Sequence, residues 1–231
     1  MLRSQKLLLS LSAALGLALG SAPASALTVT AADLPNYTPS VDLGDVLVTG
    51  IGGPFAHKTV GGFDMVGILG GWEGGEIDLS VPEGILFEFD TAQIVTELQI
   101  GALFAALEED DLYDEQALIE VTFADNTTAS YVLAVTGGTS AAWSGLGTVS
   151  NVSPATTGNG AVWSLANPFG SAAVTSLTLS PIGPDVPENF RNNDYSFVSL
   201  STVVVPEPGT LAMMGFGLTG LAIFGRRRSV V

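Results

Sequence analysis

The stretch Ile119-Glu120-Val121-Thr122-Phe123 alternates apolar and polar residues, and a second run, Tyr131 to Val135, follows the polar segment Ala124-Asp125-Asn126-Thr127. In a strand, residues two apart share a face, so the three apolar members of the first run lie on one side and the two polar members on the other. The pattern predicts an antiparallel β-hairpin, although Asp-Asn is a weaker turn signal than Asn-Gly.

Similar short runs recur along the chain between Gly, Pro, Asn and Asp residues, which is the spacing of strands. The segment Val95 to Leu107 has some helical spacing, but its β-branched residues and Gly101 favour a strand. We therefore predict an all-β fold, an antiparallel β-sandwich of jelly-roll type, with loops at Gly137 to Gly160 and Pro181 to Asn193. The predicted strands are Val46 to Thr49, Ile85 to Phe89, Val95 to Phe104, Leu118 to Phe123, Ser130 to Val135, Ala161 to Leu165, Val174 to Ser180 and Tyr195 to Val205.

Composition excludes several classes of protein. The chain has 231 residues, with 7 Lys and Arg against 23 Asp and Glu, one His and no Cys. Without cysteine, a disulfide scaffold, a zinc-thiolate site and thiol chemistry are excluded. The net charge of −16 would repel a nucleic-acid backbone, and the hydrophobic fraction of 47% is too high for a disordered acidic chain. We expect a folded protein that does not bind nucleic acid.

The N-terminal 26 residues have the order of a secretory signal peptide. Two bases precede an apolar run from Leu7 to Leu19, and the small-residue triplet Ala24-Ser25-Ala26 follows. As a helix, the 13 apolar residues would rise only ~20 Å, short of the ~30 Å hydrocarbon core of a bilayer. We predict that signal peptidase cleaves after Ala26, so that the mature chain begins at Leu27.

The C-terminal end contains three elements in order: Pro206-Glu207-Pro208, the apolar stretch Gly209 to Gly225, and Arg226-Arg227-Arg228. The 17-residue stretch would rise ~26 Å as a helix, near the lower limit for a single membrane span. Basic residues beside a span resist translocation, so the arginines should stay in the cytoplasm and the body of the protein should lie outside. The prolines favour an extended, accessible joint before the span.

This arrangement resembles the PEP-CTERM sorting signal of exported bacterial proteins, and the resemblance covers the last 26 residues. It implies that a membrane-embedded exosortase recognises Pro206-Glu207-Pro208, cleaves near it and passes the protein towards the cell surface or the medium. The inner membrane would then hold the protein only transiently. Such proteins are associated with Gram-negative bacteria that make exopolysaccharide, often in biofilms. The alternative is an ordinary tail anchor with a proline joint, which would also place the body outside.

The predicted organisation is a signal peptide at 1–26, one β-sandwich domain at 27–205 and a sorting signal at 206–231. The central domain contains two bases against 22 acids, a net charge of −20, which attracts cations and repels anionic polymers unless divalent ions bridge them. It also resembles, more weakly, domains commonly attached to this signal, through Gly74-Gly75-Glu76-Ile77-Asp78, Glu83 and Glu115-Gln116-Ala117. That resemblance implies an exported β-sandwich and supplies no catalytic residues.

The sequence marks no enzyme. His57 lies beside Lys58 in a Gly-rich segment that we expect to be an exposed loop. A Ser-His-Asp triad would need it as the base, and no Gly-x-Ser-x-Gly elbow supports one. The acids offer many pairs of the kind that glycosidases use, but such pairs arise by chance in an acidic chain. We predict a protein without catalytic activity.

Calcium is the one cofactor that the sequence suggests, because its densest acidic run lies between two apolar strands and Ca²⁺ prefers oxygen ligands. The run lacks the ligand and glycine spacing of an EF-hand. Two hypotheses remain: a different calcium site built from Asp110, Asp114 and Glu115, and a solvated acidic loop. Glu76 and Asp78 would share a strand face and are a further pair of candidate ligands.

Tryptophan provides the candidate carbohydrate contacts, because an indole has an apolar face and a polar edge. Trp72 and Trp143 lie in Gly- and Ser-rich segments that we expect to be loops, whereas Trp163 lies among apolar neighbours that are typical of a core. Packing is the commoner use of an aromatic side chain for all three.

The leading hypothesis is a non-enzymatic structural or adhesive protein of the cell surface or extracellular matrix, associated with exopolysaccharide. The first alternative is a carbohydrate-binding module with a tryptophan platform, and the second is an extracellular polysaccharide hydrolase. The sequence does not specify the glycan, a protein partner or an oligomeric state.

Overall fold

The computed structural model describes residues 26–70, 74–79, 81–106, 113–153, 160–183 and 193–205. In these ranges every pairing between strands is antiparallel. The helical content of the same ranges is a 3₁₀ turn, Ala31–Asp33, so the all-β antiparallel prediction is confirmed. The strands are β1 Ala26–Thr30, β2 Ser40–Asp42, β3 Val46–Ile51, β4 Phe55–Val60, β5 Phe63–Ile68, β6 Gly84–Gly101, β7 Gln116–Phe123, β8 Thr128–Gly137, β9 Ser140–Trp143, β10 Thr148–Asn151, β11 Trp163–Ala166, β12 Ala173–Pro181 and β13 Ser196–Val204.

The predicted hairpin is formed by β7 and β8. Ile119 pairs with Tyr131, and the ladder runs down to the pair Thr122 and Thr128. In the turn, the Asp125 carboxylate accepts a hydrogen bond from the backbone N–H of Thr127 at 2.9 Å, and Asn126 adopts a left-handed φ of 65°. Asn tolerates that conformation better than most residues, which explains why an Asp-Asn turn closes this hairpin.

The longest strand, β6, spans 18 residues and joins two parts of the sheet. Its first half pairs with β3 and β12, and its second half pairs with β11 and β13. Between the halves, Val174 of β12 pairs with Gln93 whereas Ser176 pairs with Glu88. Four residues of β6 therefore lie opposite one residue of β12, an irregularity that bends a strand.

The bend folds the sheet around one core. Phe197 of β13 pairs with Ile100, which lies 13 positions along β6 from Phe87, or ~43 Å in a straight strand. The rings of Phe87 and Phe197 are nevertheless only 5.1 Å apart. The two halves of β6 thus contribute to the same hydrophobic core, whereas a two-layer sandwich with jelly-roll strand order stays a prediction.

The strand predictions omitted β1, β2, β4 and β5, and two further predictions about local structure are wrong. The segment Gly137 to Gly160, expected to be a loop, contains the strands β9 and β10 in its described part. The strand predicted at Ile85 to Phe89 and the one predicted at Val95 to Phe104 are one strand, β6. In both cases long-range pairing overrides local polarity, since β10 pairs with β11 and the bend of β6 is held between β3, β12 and β13.

Several other predictions concern residues that the structure does not describe. They include the signal peptide up to residue 25, the tail from residue 206 onward and most of the predicted loop Pro181 to Asn193. Across the described ranges, no helix has the length and apolar character needed to cross a bilayer.

Buried polar side chains of the core find backbone partners. Trp163 is 2% exposed, as predicted for a core residue, and its indole N–H donates to the Leu103 carbonyl at 2.9 Å. The hydroxyl of Tyr195 donates to the Ser180 carbonyl at 3.0 Å, and burial raises the pKa of that phenol well above its usual range. The phenol therefore remains a protonated donor, which ties the start of β13 to β12.

Candidate functional site

The two ends of the described domain lie side by side. The first strand, β1, pairs antiparallel with the last strand, β13, and this register places Ala26 opposite Val203 and Leu27 opposite Thr202. The chain therefore enters β1 at the same pole at which it leaves β13. Val205 stays attached there, since its N–H donates to the Ala92 carbonyl at 3.5 Å in the bend of β6. The predicted signal-peptide cleavage site and the joint that leads to Pro206-Glu207-Pro208 thus share one end of the molecule.

Two of the acids predicted as metal ligands, Glu76 and Asp78, are buried in a segment that adds to the sheet. Glu76 is 4% exposed and Asp78 is 1% exposed. Ile77, between them, donates its N–H to the Tyr195 carbonyl at 2.7 Å, so the segment runs along the chain that enters β13. The carboxylate of Glu76 forms an ion pair with Lys58 of β4. A Cβ at Gly67 would lie 2.3 Å from the carbonyl carbon of Glu76, so only glycine permits this close approach.

Two further buried acids hold backbone amides. Glu83 is 3% exposed, and its carboxylate accepts the N–H of Asp78 at 2.8 Å. Glu115 is 1% exposed and accepts the N–H of Phe104. Because buried carboxylates are costly unless they are hydrogen-bonded, these contacts explain how the fold tolerates acids in its interior.

The predicted calcium ligands are placed as follows. Asp110 lies outside the described residues. Asp114 is exposed, and its carboxylate accepts the N–H of Ala106 at 2.9 Å, next to the contact between Glu115 and Phe104. Within the described ranges, no group of three or more His, Asp or Glu side chains is arranged to hold a metal ion. A calcium site that includes Asp110 stays a prediction.

Of the two tryptophans predicted as carbohydrate contacts, the structure describes Trp143. Trp72 lies outside the described residues. Trp143 is the last residue of β9 and not part of a loop, and it is partly buried. Its indole N–H donates to the Leu146 carbonyl at 2.7 Å, and its ring lies 5.6 Å from that of Tyr131 and 6.3 Å from that of Phe169. These contacts favour a packing role for Trp143.

The single histidine is a structural residue of β4. His57 was expected in an exposed loop, but it lies in a strand and is partly buried. Its Nε2 is 2.6 Å from the Leu34 carbonyl, which can only accept, so this nitrogen carries the proton. The N–H of its backbone donates to the Asn36 side chain at 2.8 Å. Both contacts fix the Leu34–Asn36 segment against β4.

The outer face of β12, β7 and β8 carries two adjoining grooves with volumes of about 270 and 280 Å³. Glu120 and Thr178 line both. Glu120 pairs with Ser130 on one side and with Thr178 on the other, so their side chains lie in a row across the three strands. The 280 Å³ groove is otherwise lined mainly by hydroxyl groups and the 270 Å³ groove by apolar side chains. The alternation of β7 already assigned Glu120 to a polar face, but its neighbours on β12 could not be read from the sequence.

In a comparison with known protein families, residues 204–228 match the PEP-CTERM protein-sorting motif. The chain carries a PEP-CTERM sorting motif. No curated protein and no solved structure matches the chain. The PEP-CTERM motif begins at Val204, the last residue of β13.

The PEP-CTERM motif implies an exported protein that is anchored in the membrane as a precursor and is then processed by an exosortase. Its residues Pro206, Glu207 and Pro208, and the basic triplet Arg226-Arg227-Arg228, lie outside the described residues. Their assignment therefore rests on the sequence match. The match covers the sorting signal and not the domain before it, so the role of that domain must be argued from its own geometry.

Proposed function

We propose that this PEP-CTERM protein is a non-enzymatic component of the cell surface or extracellular matrix. Signal peptidase releases the N-terminus at Leu27, exosortase removes the membrane tail near Pro206-Glu207-Pro208, and the all-β domain then associates with exopolysaccharide in a structural or adhesive role. The observation that carries the proposal is the sorting motif at residues 204–228, which begins at the last residue of β13.

The position of the chain ends supports this route. Because Ala26 and Val203 are paired, the segments before β1 and after β13 leave the domain at one pole. A precursor held at both ends would thus need only one side of the domain to face the membrane. The joints are short: six residues separate Leu19 from Ala26, and three residues separate Val205 from Gly209.

Two observations support a role without catalysis. The Nε2 of His57 donates to a backbone carbonyl, so this nitrogen is not an acceptor for a serine hydroxyl proton. The buried carboxylates of Glu83 and Glu115 accept backbone N–H groups and hold neighbouring segments in place. These contacts are structural ones. A hydrolase function would require turnover of a polysaccharide that a single carboxylate substitution abolishes.

The experiment that tests the proposal is intact mass measurement and fractionation of the protein from its own host, with and without the exosortase. We expect a mature species that starts at Leu27, lacks the segment 209–231 and is found outside the cell. Deletion of the exosortase should leave the tail on the protein and the protein in the membrane. A tail retained in the inner membrane in both strains would refute exosortase sorting and indicate a permanent anchor.

A further inference from the structure

The outer-face groove, defined here as the two adjoining depressions that share Glu120 and Thr178, combines two kinds of surface. Each part is slightly below the ~300–1,000 Å³ typical of enclosed ligand pockets, so the groove is a shallow surface site. Its apolar part is bounded by side chains from three segments of the chain: Ile51, Leu79, Val81, Pro82 and Pro181. Its polar part is bounded by hydroxyl side chains: Thr122, Thr128, Ser130 and Ser176.

The polar groups of the groove are available to a ligand. Glu120 is exposed, and in the described part of the chain no hydrogen bond to another residue engages its carboxylate or the hydroxyl of Thr178. This contrasts with Glu83, at the edge of the apolar part, whose carboxylate already accepts the N–H of Asp78. A ligand would therefore replace water at Glu120 and Thr178 without breaking a contact of the fold.

The charge of the groove selects the class of ligand. Glu120 supplies a carboxylate, and Lys58, the one Lys or Arg in the described ranges, is paired with Glu76 elsewhere. An anionic polymer would meet a carboxylate and a domain of net charge −20, and the described residues that line the groove include no Lys or Arg to receive it. A chain rich in neutral hydroxyl groups can donate hydrogen bonds to the carboxylate, and such charge-assisted bonds are the stronger kind.

We propose that the outer-face groove binds an uncharged polysaccharide. The sugar hydroxyls donate to the carboxylate of Glu120 and exchange hydrogen bonds with Thr178 and the neighbouring hydroxyls, while the C–H faces of the rings pack on the apolar part. This inference rests on the proposed function and names the ligand class and the site through which the domain would hold exopolysaccharide. It replaces the indole of Trp143, which packs on the fold, as the expected point of contact.

The test uses the full chain, purified in mild detergent, on an array of neutral polysaccharides (dextran, laminarin and galactomannan), anionic ones (alginate and heparin) and cationic chitosan. We expect retention on at least one neutral polysaccharide. Glu120→Gln should weaken the affinity for it about tenfold, because it removes the charge from a hydrogen-bond acceptor while keeping the shape. Thr178→Val should weaken it about threefold, because it removes a neutral hydrogen bond.

Two controls keep the result specific. Asp64→Asn removes one exposed carboxylate from β5, away from the groove, and should bind like the parent protein. Trp143→Ala should also leave the affinity unchanged, whereas a loss of binding in this variant with normal binding by Glu120→Gln would assign the site to the indole and overturn the inference. Melting temperatures of all variants establish that binding is compared between folded proteins.

Other outcomes would also overturn the inference. They are retention on alginate, heparin or chitosan in preference to every neutral polysaccharide, no retention on any neutral polysaccharide, and parental affinity in both groove variants. A protein found outside the cell that fails on the array would overturn this inference and leave exosortase sorting to the cell surface or matrix standing. A protein kept in the inner membrane with and without exosortase would overturn the proposed function, whatever the array shows.

Discussion

Carboxylates play different parts in two regions of this protein. In the interior, Glu76, Glu83 and Glu115 are less than 5% exposed, and each binds a lysine or a backbone amide. On the outer face of the sheet, Glu88 and Glu120 are exposed. A buried charge is tolerated only where its partners compensate for lost hydration, whereas an exposed one costs the fold little. The net charge of −16 therefore bears on solubility and does not identify the acids that hold the structure together.

The largest effect in this comparison is expected from Lys58→Met. It removes the cation from the pair with Glu76, which is 4% exposed, and so destabilises the domain by about 3 kcal/mol, the lower end for a broken buried pair because Lys58 is itself partly exposed. Urea unfolding measures the change. The double variant Lys58→Met/Glu76→Leu should recover part of the loss, since it removes both charges. A single variant as stable as the parent would mean that burial of Glu76 does not depend on Lys58.

The next effect compares one buried and one exposed glutamate directly. Glu115→Ala leaves the N–H of Phe104 without its acceptor and should cost about 1–3 kcal/mol of unfolding free energy. Glu120 lies on the outer face of β7, the strand that begins directly after Glu115. The unfolding free energy of Glu120→Ala should stay within about 0.5 kcal/mol of that of the parent. Thermal melts of the two proteins side by side provide the measurement. Equal losses of stability in the two variants would contradict the distinction between buried and exposed acids.

A smaller effect is expected from calcium. Asp114 and Glu115, two of the predicted ligands, already accept backbone N–H groups of Ala106 and Phe104. The melting temperature should therefore change little between millimolar Ca²⁺ and a chelator. A ligand that binds only the folded state must raise its stability. A clear rise with Ca²⁺ that Asp110→Asn abolishes would establish the site that the acidic run suggested and give these acids a third role.

The smallest effect concerns Glu97 of β6, which lies between the two groups in exposure. Its carboxylate accepts hydrogen bonds from Ser164 at 2.6 Å and from Gln99 at 3.0 Å, and these bonds, that of Ser164 first, lower the pKa of Glu97 below its ordinary value of 4.5. A carboxyl with a lowered folded-state pKa stabilises the fold above its unfolded pKa, and that contribution is lost as the pH falls through the folded-state pKa.

Glu97→Gln should therefore melt slightly below the parent at pH 7, and the difference should shrink as the pH falls below about 4.5. Melting curves of both proteins from pH 7 to about pH 3 test this. A difference that stays constant across the range would show that the hydrogen bonds to Glu97 do not depend on its charge.

The strand content of the fold could be predicted where one local pattern carries the information. The alternation around Ile119 and the polar turn at Asp125 predicted the β7–β8 hairpin, because both signals lie within a few residues. The strands β9 and β10 were missed because their Ser- and Thr-rich segments carry no apolar alternation. They are strands because β8 and β11 lie beside them and bind their backbone groups.

The candidate site could be predicted only in part. Glu120 was placed on a polar face by the alternation of β7, but Thr178 lies 58 positions away in the chain and joins it through the β7–β12 ladder. His57 was misplaced in a loop because the glycines around it are typical of turns. Gly61 and Gly62 do form the turn between β4 and β5, but His57 lies in the strand before that turn. Burial of Glu76 and Glu115 had no sequence signal, since acidic residues are usually exposed.

The amino-acid sequence by itself determined that this protein carries a PEP-CTERM sorting motif, that it is rich in antiparallel strands and that its surface is strongly acidic. These properties depend on short contiguous motifs, on a period of two and on composition, which require no partner from elsewhere in the chain. The tertiary structure alone decided that Ala26 lies beside Val203, that β6 is one bent strand and that Glu120 meets Thr178. Each of these depends on pairing between residues far apart in sequence or on a bulge stabilised by several neighbouring strands, and local pattern does not encode such contacts.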